Sequence, residues 1–141
     1  MNPAQTSTII AHDKQLTAEL HDLGVGWWAW WHSEVGHLSA IIDPGEHIGG
    51  IVYGYQGLNF VALVATDRRV IFLDSKPLFT DEEEITYDVV SGIRYDHLIF
   101  TTLTLHTRVR DYQLLTFNNR CALGFKHYIE QRVLEHMPAN V

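Results

Sequence analysis

Cys121 is the only cysteine in the chain, so no intramolecular disulfide can form, and a reducing cytoplasm is the simplest compartment. Long apolar runs are also missing. The longest, Phe60–Ala65, falls far short of the ~20 residues that cross a bilayer as a helix. The first twenty residues lack both a basic start and a continuous apolar centre, so no secretory leader is expected. Positive charge is scarce, above all early in the chain. Residues 1–59 hold one base, Lys14, against six acids, and the whole chain carries a net charge of −7. A general nucleic-acid binder needs Lys and Arg to neutralise phosphates. Adhesion to an anionic membrane needs them for a related reason, and the acidic balance disfavours it. Neither a GxGxxG nor a GxxxxGK[ST] phosphate loop is present, and no Ser/His/Asp arrangement stands out. No enzyme activity and no cofactor are therefore expected.

What remains is the composition of an ordinary globular protein, with 46% hydrophobic and 19% charged residues over 141 positions. That length suits one domain with an accessory segment. Ser7 or Thr8 can cap a helix whose apolar stripe is Ile9, Leu16, Leu20 and Leu23, with Gly24 as a stop, which predicts a helix over 8–23 after a frayed start. Over Val25–Ile42, the residues Trp28, Trp31, Val35, Leu38 and Ile42 share one helical face. Asp43-Pro44-Gly45-Glu46 then makes a turn.

From His47 onward the period changes to that of strands. The expected strands are Ile48–Tyr53, Leu58–Thr66, Arg69–Asp74, Glu83–Tyr87, Ile93–His97, Thr102–Thr107 and Tyr112–Phe117. Gly54-Tyr55-Gln56-Gly57 serves as the first turn. The second and third strands are almost continuously apolar, which requires burial on both faces or a cover from the preceding helices. Asn118 or Asn119 caps a final helix with the stripe Cys121, Phe125, Tyr128, Ile129 and Val133. Seven short strands must close or stack to hide their edges, and a helix with one apolar face must cover them.

Three stretches carry a family likeness. They are Asp43-Pro44-Gly45-Glu46-His47-Ile48, the hairpin Ala65-Thr66-Asp67-Arg68-Arg69-Val70-Ile71-Phe72-Leu73-Asp74, and Glu84-Ile85-Thr86-Tyr87-Asp88-Val89-Val90-Ser91-Gly92-Ile93. In this order they resemble the bacterial pleckstrin-homology (PH)-like domains, over roughly residues 43–136. The resemblance implies a mainly β fold with helices: a barrel of two near-orthogonal antiparallel sheets, about seven strands in all, capped by the C-terminal helix. Residues 1–42 are then an N-terminal helical extension and residues 43–141 the PH-like domain. The resemblance implies no active site. Eukaryotic relatives sometimes bind phosphoinositides through basic residues around the first two strands, but Gly54-Tyr55-Gln56-Gly57 contains no Lys or Arg.

The candidate sites follow from what the fold leaves unexplained. Trp28 and Trp31 fit a core stripe, whereas Trp27 and Trp30 lie off it. One helix cannot bury all four rings on one surface, so Trp27, Trp28, Trp30 and Trp31 form the candidate interface. Arg68, Arg69 and Lys76 on one hairpin are candidate contacts for an anionic ligand. His32, Glu34 and His37 have the wrong spacing for a zinc helix, and no metal site is expected. Cys121 reads as a buried, inert thiol. Asp81–Glu84 reads as a solvated loop before a strand. The functional expectation is a non-enzymatic protein-interaction module that forms a homo-oligomer. Peripheral membrane or lipid-headgroup binding is one alternative, and a small-ligand-binding barrel is another.

Overall fold

A computed structural model of the chain describes residues 2–24, 38–75, 80–97 and 99–136. Helix α1 spans Pro3–Asp22 and a short α2 spans Leu38–Ile41. Seven strands follow: β1 Ile48–Gln56, β2 Asn59–Thr66, β3 Val70–Ser75, β4 Thr80–Ile85, β5 Val90–His97, β6 Thr101–Thr107 and β7 Asp111–Thr116. A 3-10 turn, Tyr87–Val89, leads into β5, and helix α3, Asn119–Glu135, completes the order.

All pairings are antiparallel, in the order β4-β3-β2-β1-β7-β6-β5. The array is two sheets, β4-β3-β2-β1 and β7-β6-β5, that meet at the single pair Tyr55↔Leu115. Gly54 makes that meeting feasible, because a Cβ there would lie 1.9 Å from the Leu115 carbonyl oxygen. The mainly β, helix-covered class expected from the sequence is the class observed.

Several boundaries differ from expectation. Helix α1 begins five residues earlier, because the Asn2 side chain accepts from the Gln5 N–H while Gln5 returns a bond to the Asn2 N–H. That reciprocal cap, with Pro3 in the first turn, outcompetes Ser7 and Thr8. Strand β1 runs on to Gln56, since Tyr55 pairs with Phe60 on one side and Leu115 on the other. The turn is then only Gly57 and Leu58, with Gly57 at φ +62°. Asp81–Glu84 is part of β4, paired from Asp74↔Asp81 to Ile71↔Glu84, and is not a loop. The helix expected from Val25 is described only from Leu38.

The apolar runs of β1–β3 are buried on both faces. Val52, Val61, Leu63, Ala65, Val70 and Phe72 point between the two sheets, where they meet Leu103, Leu105, Leu114 and the α3 residues Ala122, Phe125 and Ile129. Ile51, Tyr53, Ala62, Val64, Ile71 and Leu73 point the other way, onto Leu16 and Leu20 of α1 and onto Leu38 and Ile42. Full burial of each of the larger aliphatic or phenyl side chains contributes roughly 1.5–3 kcal/mol. Polar contacts fix α1 in place. Glu19 accepts from the Ile48 N–H at 2.9 Å and pairs with His47 Nδ1 at 2.8 Å. The hydrogen bond to Glu19 pushes the His47 imidazole up from its ordinary value.

Candidate functional site

The two ends of the barrel differ in chemistry. At one end sit the turn between β2 and β3 and the turn between β6 and β7, which carry Asp67, Arg68, Arg108 and Arg110. Glu46 is fully buried there. Arg69 donates to it through Nε at 2.9 Å and Nη2 at 3.0 Å. The Thr66 hydroxyl donates at 2.6 Å and the Asp43 N–H at 3.0 Å. Burial alone would raise the Glu46 carboxyl, but these donors outweigh it and hold it at about 2. Arg69 also donates to the Ile41 carbonyl at 2.9 Å and to Glu84 at 3.4 Å. Its charge is thus neutralised inside the fold.

The anion contact expected at Arg68, Arg69 and Lys76 meets a different arrangement here. Arg68 is half-exposed beside Asp43, at 4.0 Å, and Lys76 lies outside the described residues. Among the described residues, no group of three or more His, Cys, Asp or Glu is placed to hold a metal ion. Nor do His97 and His106 meet across strands, because His97 opposes Thr101 and His106 opposes Gly92. Cys121 is buried, its thiol donates to the Leu23 carbonyl, and burial pushes it up to about 11.

The opposite end has a different character. The register sets Tyr55 against Phe60 and Leu115, and Thr101 against Thr116. It therefore gathers the turn between β1 and β2, the turn between β5 and β6, and the connection from β7 to α3. Residues 56–59, 98–100 and 117–119 contain no charged side chain. They carry Leu58, which is 100% exposed, Ile99 at 88%, Phe117 at 74% and Phe100 at 60%, with Tyr55 beside them. Tyr55 and Phe117 meet edge to face with centroids 6.5 Å apart, and Tyr55 meets Phe60 in the same way at 5.8 Å. A cavity of about 390 Å³ opens beside them, lined by Tyr53, Tyr55, Phe60, Phe117, Asn118 and Asn119, with Gly24 on its wall. Asn118 braces this wall. Its Oδ1 caps α3 by accepting from the Cys121 N–H, and its Nδ2 donates to the Tyr53 hydroxyl at 2.9 Å.

A family model described as "Bacterial PH domain" matches residues 42–130, from the turn before β1 to the fourth turn of α3. The chain belongs to the bacterial PH domain family. Comparison with curated proteins finds no match. Among solved structures, this PH domain is similar to a DUF1696 family protein with a pleckstrin-homology domain from Shewanella loihica. The identity is 14%, covering 71% of this chain and 89% of that one, with a TM-score of 0.42. It is also similar to the C-terminal domain of an unknown protein from Leishmania infantum. There the identity is 16%, the coverage 77% and 99%, and the TM-score 0.48.

The apolar end of this PH domain leaves no local pattern in the sequence. Its residues are scattered over three connections, and only strand register brings them together. Trp27, Trp28, Trp30 and Trp31 lie outside the described residues. No helix among the described residues is long and apolar enough to cross a membrane.

Proposed function

We propose that this PH domain is a non-catalytic protein-interaction module, that the apolar end of its barrel is the contact surface, and that its partner is a second copy of the chain. One observation carries the reading: Leu58, Ile99, Phe100 and Phe117 stand exposed on connections without a charge, beside Tyr55 at the end of β1. Exposed apolar side chains gathered in this way mark an interaction surface, whereas single scattered ones do not. Aromatic anchors with few charges are the composition of interface centres. A matching apolar surface on a second copy would remove both from water. The tryptophan segment joins the same proposal. Gly24 lines the cavity, and Trp27 follows it by three positions in the sequence.

The test is the mass in solution of Leu58→Asp/Phe117→Asp beside that of the native sequence. The native chain is expected to be an oligomer and the double variant to lose that contact. An unchanged mass overturns the reading. Sedimentation with neutral and anionic vesicles separates it from membrane insertion by the same loops, because the proposal expects the protein to stay in the supernatant with both.

A further inference from the structure

The two outermost strands of the array, β4 and β5, each have one edge with no strand pairing among the described residues. Such edges carry unpaired N–H and C=O groups and invite another strand. Strand β4 is guarded. Its Glu82, Glu83 and Glu84 would set carboxylate against carboxylate in an antiparallel pairing with another β4 centred on any of the three. Strand β5 has no such guard. Past the irregularity between Val90 and Gly92 it is regular to His97, and it holds one base and one acid, Arg94 and Asp96, on either side of Tyr95. Both are exposed to solvent, and they pair within their own strand at 2.9 Å.

Symmetry turns this spacing into a register. Two copies of one strand, related by a two-fold axis normal to the sheet, pair antiparallel. Side chains alternate between faces, so the axis must pass at a residue that faces itself. An axis at Arg94 or at Asp96 sets like charges opposite each other. At Tyr95 it sets each Arg94 opposite the other copy's Asp96, twice, and each Ile93 opposite His97. Beside this edge runs a groove of about 370 Å³, lined by Gly92, Ile93, Ile129, Glu130, Val133 and Leu134. Its apolar walls would be covered by the incoming strand.

We propose that β5 is a self-association edge that pairs antiparallel with β5 of a second copy, centred on Tyr95. This contact shares no residue with the apolar end and adds a second interface to the assembly. The experiment is sedimentation equilibrium in the Leu58→Asp/Phe117→Asp background, where the apolar end is disabled. That background protein is expected to remain a dimer through β5. Adding Arg94→Asp sets acid against acid, and adding Asp96→Arg sets base against base. Each is expected to raise the dimer Kd at least about tenfold. An equimolar mixture of the two is expected to recover the dimer, because the two acids of one strand then face the two bases of the other. The pairing within the strand is broken in both proteins, so repair of the fold cannot account for recovery. A monomeric background protein, single variants that stay dimeric, or a mixture that stays monomeric would each overturn the proposal. The first of these leaves the reading of the apolar end intact.

Discussion

A buried carboxylate with one strong partner makes the fold sensitive at a single residue. Glu46→Gln removes the buried partner of Arg69 and leaves it only the more exposed Glu84 at 3.4 Å and Asp43 at 3.9 Å, and the expected loss is about 3 kcal/mol. The native pair also sets an acid dependence. An ordinary glutamate titrates near 4.5, and Glu46 in the fold is held at about 2. Its contribution is therefore complete above pH 4.5 and is lost as the pH falls from there towards 2. Denaturant unfolding over that range is expected to show declining stability in the native chain and a flatter profile in Glu46→Gln. Both residues belong to the stretches that carried the family likeness, Glu46 in the turn before β1 and Arg69 in the hairpin of β2 and β3. Their partnership was not legible in the sequence, because a spacing of 23 residues says nothing about contact until the register is known. Arg69 consequently read as a free cation.

At the scale of elements, the apolar runs of β2 and β3 announced a sheet covered on both faces, and the structure supplies the two covers. The barrel interior takes one face, and α1 with α2 takes the other. Strand number and the final helix were legible because hydrophobic period and capping residues are local signals. Where boundaries moved, tertiary pairing or a better cap decided the matter. The acidic stretch of β4 is the clearest case, since its composition reads as solvated loop while its backbone pairs with β3 along its whole length. Gly54 is another residue whose role only the fold reveals. A methyl group there meets the Leu115 backbone at the one pair joining the two sheets. Gly54→Ala is expected to be severely destabilising, by more than about 4 kcal/mol, or to prevent folding. Gly92→Ala, with open space around it, serves as the control in the same thermal-unfolding series.

Taken whole, the molecule is a polarised barrel. One end is closed by charged turns and the Glu46–Arg69 pair, and the other presents uncharged, apolar loops beside an aromatic cavity. The strongest sequence signal for an interface was the cluster Trp27, Trp28, Trp30 and Trp31, and the five apolar residues of the barrel end went unread because no local pattern links them. Association through that end can be measured at its centre. Cys121 is buried and its thiol is pushed up to about 11, so Leu58→Cys provides a single reactive site for a nitroxide label. Copies that meet through the apolar end should show strong dipolar coupling between labels, abolished when labelled protein is diluted with unlabelled protein. Labels that remain uncoupled while the protein is oligomeric would place the contact elsewhere and contradict the proposal.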